Sequence, residues 1–236
     1  MRPKVSIIIP SYNNLEKLKT CIFSIMMQRF TDYEVWIIDG ASTDGTQEYL
    51  KTLGQRFNFI SEEDSGIYHA MNKGIEKSKG EWLYFLGADD KFSSNQTLLL
   101  CFMLREFANE KLLIGNVQYS NEIKFISSFT SKLWFKNTVH HQSVFYKREL
   151  FDNVRYDENY KVLADYHLNL QLFKQGIAYK KIDSIVAVCG GEGISKNYNW
   201  NLYREEIQLK TALTSIFIKP IFYTLGISKY FFRRVF

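Results

Sequence analysis

The chain has 236 residues, 46% hydrophobic and 16% aromatic, with 30 Lys and Arg set against 25 Asp and Glu. That apolar content excludes a disordered chain, and the length suits one domain with a tail. A net charge of +5 without a concentrated basic patch argues against nucleic acid, and Cys21, Cys101 and Cys189 have the spacing of neither a disulfide framework nor a zinc site. The apolar surroundings of these cysteines point to buried thiols in a reducing compartment. The first residues lead directly into a strand and no apolar run spans a bilayer, so a cytoplasmic protein without a signal peptide is expected.

Val5–Pro10 is a β-branched run closed by proline and predicts a buried first strand, followed by the loop Ser11-Tyr12-Asn13-Asn14. Leu15, Leu18, Ile22 and Ile25 recur at helical spacing. Glu34–Asp39 predicts a second strand, and Gly40–Thr46 a turn-rich loop in which Ser42 or Thr43 caps a helix running to about Leu53. Phe57–Glu62 reads as a third strand. Ile67–Lys79 reads as a helix with Tyr68, Met71 and Ile75 on one face and Gly80 as its left-handed stop. Gly80–Lys91 then carries an apolar strand that breaks at Gly87 and presents Asp89-Asp90. This alternation predicts a parallel, helix-covered sheet, whose loops carrying Asn13, Asp39, Asp64 and Asp89-Asp90 open on one edge. Adjacent carboxylates there suit Mn²⁺ or Mg²⁺, which bind one or two acids plus substrate phosphates.

The second half is mixed. A helix over Gln96–Ala108, strands at Leu112–Tyr119 and Ile123–Ser127 around a Ser120–Glu122 turn, and a short strand Val144–Lys147 are expected. A helix at Ala164–Gln175, a strand Tyr179–Val188, a glycine-rich loop Gly190–Ser195 and a helix around Leu202–Leu213 complete it. His140 and His141, read as leading a strand, would point to opposite faces and could not share an ion. On residue type alone Asp165 is a helix cap. Ser215–Phe236 interleaves aromatic and aliphatic residues with Lys219, Lys229, Arg233 and Arg234, the composition of an amphipathic helix on an anionic leaflet; packing on the globule is the other reading.

Val5–Asn13, Ile38–Thr46, Asp64–Tyr68, Ala70–Gly74 and Gly80–Asp90 together resemble the family 2 glycosyltransferases, in order and approximate spacing, and the resemblance runs to about Leu213. It implies an α/β GT-A fold in one domain of residues 1–214, with a nucleotide-sugar half (1–95) and an acceptor half (96–214), followed by the tail 215–236. It implies an inverting transfer from a nucleotide-sugar, UDP-linked foremost, to a glycan or polyprenyl-linked acceptor in polysaccharide or cell-envelope biosynthesis. Pro10, Tyr12, Asn13 and Ala88 would contact the donor, Asp39 the base, and Asp64 and Lys73 the ribose-diphosphate. Asp89 and Asp90 match the metal motif, His141 and Gln142 would position donor or acceptor, and Asp165 matches the catalytic base. Many members carry an acid where this chain has Gly87, so either Asp89 or Asp90 could touch the metal. A nucleotidyltransferase would be expected to place a basic, glycine-rich segment where Pro10–Asn13 stands, and a dinucleotide oxidoreductase a Gly-x-Gly-x-x-Gly. A membrane-associated donor-binding protein without turnover is the remaining rival.

Overall fold

The computed structural model describes residues 2–103, 107–190 and 199–235. Strands β1 (Val5–Ser11), β2 (Tyr33–Asp39), β3 (Phe57–Ser61) and β4 (Trp82–Phe85) alternate with helices α1 (Leu15–Met26), α2 (Thr46–Leu50) and α3 (Ile67–Lys77). They pair in parallel in the order β3-β2-β1-β4. Alternate residues of β1 go to opposite faces. Ile7 and Ile9 join Leu18, Ile22 and Ile25 of α1 on one side of the sheet, while Ile8 joins Met71 and Ile75 of α3 on the other. Each such isoleucine, withdrawn fully from water, stabilises the fold by roughly 2–3 kcal/mol, so β1 is pinned in the centre.

The remaining elements are β5 (Lys91–Phe92), α4 (Thr97–Phe102), β6 (Leu112–Tyr119), β7 (Lys124–Phe125), β8 (Val144–Lys147), α5 (Ala164–Lys174), β9 (Tyr179–Cys189), α6 (Trp200–Ala212) and α7 (Lys219–Val235). The sheet continues β4-β8-β6-β9-β5, with β7 beside β6. β8 is antiparallel to both β4 and β6, and β6 runs parallel to β9. The architecture is thus α/β with a mixed sheet, parallel through the first four strands.

Several local expectations shift. Helix α4 stops at Phe102 and the chain is non-helical again from Phe107, short of Ala108. Helix α3 ends at Lys77 with Ser78 extended, and Gly80 has no left-handed role. Gly80 is instead required by proximity: a Cβ there would lie 2.5 Å from the backbone N of Ser6. Its N–H donates to Ser6 Oγ at 2.7 Å, seating β4 against β1.

Candidate active site

The register sets Ser11 of β1, Asp39 of β2 and Ser61 of β3 level at the C-terminal edge of the parallel strands. Asp39 is fully buried and accepts from Ser42 N–H at 3.0 Å, Ser42 Oγ at 2.5 Å and Ser61 Oγ at 2.6 Å. Ser42 Oγ in turn accepts the Asn13 N–H at 2.8 Å, and Asn13 Oδ1 accepts the Thr43 N–H at 2.9 Å. Ser42 and Thr43 therefore cap no helix. Asp44 does that work, accepting from both the N–H and the hydroxyl of Thr46 and from Leu15 N–H at the start of α1. Asn13 (φ 46°) and Ala41 (φ 60°) hold left-handed backbone in these loops, a local cost met by the surrounding hydrogen bonds.

Gly40 brings the first and third loops together. A Cβ on it would lie 3.2 Å from the Tyr12 ring and 2.9 Å from Asp64 Oδ2, so the aromatic face and the carboxylate meet over bare backbone. Tyr12 is 67% exposed, available for stacking, whereas Pro10 is buried within β1. Asp64 Oδ1 accepts the Gly66 N–H at 2.9 Å. Both polar contacts of Lys73 are with the loop after β3, to Glu62 Oε1 at 2.8 Å and Glu63 carbonyl at 3.0 Å. Lys73 also lines an open groove of about 500 Å³ with Asn72, Arg155 and Glu158.

Asp89 and Asp90 diverge. Asp90 is buried and accepts from Gly190 N–H at 2.9 Å and Gln142 Nε2 at 2.5 Å. Burial, and then the neighbouring Asp89 charge, push its carboxyl above the ordinary value. Asp89 is half-buried between two glycines. A Cβ on Gly87 would lie 2.5 Å from Asp90 Oδ2 and 3.1 Å from Asp89 Oδ1, and one on Gly190 2.6 Å from Asp89 Oδ2. Ala88 is buried among apolar neighbours. The remainder of the expected Gly190–Ser195 loop lies outside the described residues.

Residues His141–Ser143 form a 3₁₀ turn, not a strand, so the rings of His140 and His141 do not oppose each other. They stack, with centroids 5.7 Å apart and planes 14° from parallel. His141 Nδ1 stands 3.6 Å from Asp165 Oδ2, while its neighbour Gln142 holds Asp90. Asp165 lies in the first turn of α5, where the helix dipole favours a carboxylate, and its side chain also meets the Tyr166 N–H of that turn. Its other oxygen is 3.1 Å from the Tyr68 hydroxyl. Burial raises the Asp165 carboxyl, but His141, the Tyr166 N–H and Tyr68 outweigh burial, leaving it below the usual carboxylate range.

Two contributors were not apparent from sequence. Tyr68 reads as a core-facing helix residue, and only its phenol reaching α5 reveals a role. Glu205, on α6, accepts backbone N–H groups just before Asp165; an acid on a helix 40 residues away gives no signal of that.

A parallel four-stranded half with acids at its strand ends, joined through β8 to a mixed half bearing a buried aspartate, is the architecture of the GT-A fold. The family model for glycosyl transferase family 2 matches residues 6–202, and the chain belongs to that family. It is 36% identical over 221 residues to a PGL/p-HBAD biosynthesis glycosyltransferase of Mycobacterium bovis, covering 89% of this chain and 86% of that one. Among solved structures, S. aureus TarS (1–349) with UDP-GlcNAc superposes with a TM-score of 0.73 at 17% identity, over 89% of this chain and 66% of that one. The mannosyltransferase PcManGT of Pyrobaculum calidifontis, in complex with GDP-Man and Mn²⁺, gives 0.68 at 20% identity, over 96% and 70%.

Proposed function

We propose that this glycosyltransferase is an inverting, metal-assisted enzyme. It moves a sugar from a nucleoside-diphosphate donor, foremost a UDP-sugar, to a hydroxyl of a glycan or polyprenyl-linked acceptor. The observation that carries the reading is the His141–Gln142 turn, whose successive side chains reach Asp165 and Asp90. One turn thereby ties the donor-side acids to a candidate base in the other half. The UDP-GlcNAc and GDP-Man complexes of the two structural neighbours support a nucleotide-sugar donor.

The Tyr12 ring and the Asp64 carboxylate over Gly40 form a wall for the nucleoside, beside Pro10 and Asn13 and above the Asp39 network. For Asp39 to accept from a base, the Ser42 hydroxyl must turn away from it. Lys73 reaches a diphosphate only by leaving Glu62. Among the described residues no cluster of three or more His, Cys, Asp or Glu could hold a metal by itself. That suits a hard Mn²⁺ or Mg²⁺ ion completed by diphosphate oxygens and water. Asp89 fits as its ligand, because glycines on two sides leave its carboxylate room, whereas both oxygens of Asp90 are engaged. Bound there, the ion would neutralise charge on the leaving diphosphate.

Asp165 takes the acceptor hydroxyl proton as the acceptor oxygen bonds to the anomeric carbon. The bond from that carbon to the diphosphate breaks, and its electron pair leaves on the nucleoside diphosphate. Attack and departure on opposite faces invert the configuration. His141 and Tyr68 keep the carboxylate ionised and oriented. We further read residues 215–236 as a peripheral contact with the cytoplasmic face of a membrane, where a lipid-linked acceptor resides.

Asp165→Asn tests the assignment. The substitution keeps size and an oxygen that can accept the Tyr166 N–H while removing basicity, so kcat should fall by about 10²–10⁴. Donor affinity, measured calorimetrically with Mn²⁺, and the melting temperature should stay near wild type. A kcat within a few-fold of wild type would remove Asp165 from the mechanism.

A further inference from the structure

The geometry points to Glu205 as the residue that positions Asp165. Its buried carboxylate accepts three consecutive backbone N–H groups, from Lys161 at 2.8 Å and from Val162 and Leu163 at 3.0 and 3.1 Å. Those residues are the last three before α5, and Asp165 is the second residue of that helix. The donor half holds the same segment from the other side. The Tyr68 hydroxyl lies 2.7 Å from the Val162 carbonyl and 3.1 Å from Asp165.

Three N–H groups aimed at one point require an anion or water. Glu205 supplies a fixed anion from a separate helix, so the angle at which α5 starts is set by α6. The next residue, Glu206, faces elsewhere: it accepts from Lys210 of its own helix and from Lys229 of α7 at 2.6 Å. Two successive carboxylates on α6 thus clamp the base-bearing segment on one side and the C-terminal helix on the other. Glu205 touches no reacting atom in this scheme. It fixes where the base stands, and a displacement of about 1 Å at such a group can cost 10²-fold in rate.

The inference rests on Asp165 being the base, and the test separates the two. Glu205→Gln and Glu205→Ala are each made alone and in an Asp165→Asn background. In the wild-type background kcat should fall by about 10- to 100-fold with the donor KM unchanged. Hydrogen exchange at the amides of residues 161–163 should accelerate while α1 and α3 stay protected. In the Asp165→Asn background the same substitutions should cost almost nothing, because the group they position is no longer basic. An equal loss in both backgrounds, or folded variants within twofold of wild-type kcat, would overturn the role of Glu205. So would failure of both variants to fold while Asp165→Asn folds, since Glu205 would then be a determinant of the fold. If Asp165→Asn is itself active, the base assignment fails, whatever Glu205 does.

Discussion

Asp89 and Asp90 show how far adjacent identical residues part once the backbone turns. Their pairing after an apolar strand is plain in the sequence, and the choice between them is not, because it depends on what crosses from Gly190 and Gln142. Asp90 has become a fastener: its oxygens hold the β9 end and the His141–Gln142 turn. Gly87 belongs to the same arrangement, since a side chain there would run into the Asp90 carboxylate. The two aspartates should therefore fail differently. Asp89→Ala should abolish Mn²⁺-dependent tightening of nucleotide-sugar binding and leave the melting temperature nearly unchanged. Asp90→Ala strands the buried Gln142 amide, at about 1–3 kcal/mol, and the half-buried Gly190 N–H, and should lower the melting temperature by several degrees. Thermal shift with donor, in Mn²⁺ and in EDTA, reads both. A metal response surviving in Asp89→Ala and lost in a folded Asp90→Ala would reverse the assignment.

At the level of elements, legibility follows the range of the interactions that fix each one. The four parallel strands and three helices are written in local periodicity, and the convergence of Asn13, Asp39, Asp64 and Asp89 follows from strand parity alone. Placement of β8 between β4 and β6 could not be read, because antiparallel pairing across 60 residues leaves no local mark. Nor could the 3₁₀ turn at His141–Ser143, where strand-like composition conceals a single tight turn. That turn has a measurable consequence. The His140 ring lies edge-on to Tyr119 and Phe125, its Nδ1 is enclosed without a hydrogen-bond partner among the described residues, and burial lowers its pKa to about 4. The charge of His141 acts in the same direction and Asp165 opposes it. Between pH 6.5 and about 4 the unfolded chain binds a proton here that the folded chain refuses. Stability should be complete above pH 6.5 and decline as pH falls through that window, by about 1–3 kcal/mol from this site. Urea unfolding midpoints should show the slope in wild type and a flatter one in His140→Phe; identical slopes would mean that the ring protonates freely.

For the molecule as a whole, the sequence leaves the last 22 residues between packing on the globule and lying on a membrane, and in the structure one face of their helix is docked while the other is exposed. Phe222 packs on Trp134, Tyr230 meets Trp200 and Tyr203, and a Cβ at Gly226 would lie 2.3 Å from Ile207, so α7 sits tightly on α6. The opposite side is apolar and open, with Phe231 59% and Ile221 53% exposed, and Phe217 in the turn just before the helix is 88% exposed. No helix among the described residues is long and apolar enough to cross a membrane. The same segment carries four of the chain's thirty cationic residues and none of its acids, with Lys229 alone paired to Glu206 of α6 among its described side chains. A second copy would bring like charges together. An anionic leaflet offers complementary charge, worth about 1 kcal/mol for each basic residue near the surface, and a place for the outward rings. Deleting the segment would strip α6 of its cover, so the informative variant is Phe217→Ser with Ile221→Ser and Phe231→Ser, which spares the docked face. Wild type should co-sediment with phosphatidylserine-containing vesicles, less at 0.5 M salt and little with phosphatidylcholine alone. The triple variant should stay in the supernatant with an unchanged melting temperature and unchanged transfer to a soluble acceptor. Binding that survives the three serines, or a wild type that ignores vesicles and dimerises through this face, would show that the exposed rings serve something other than lipid.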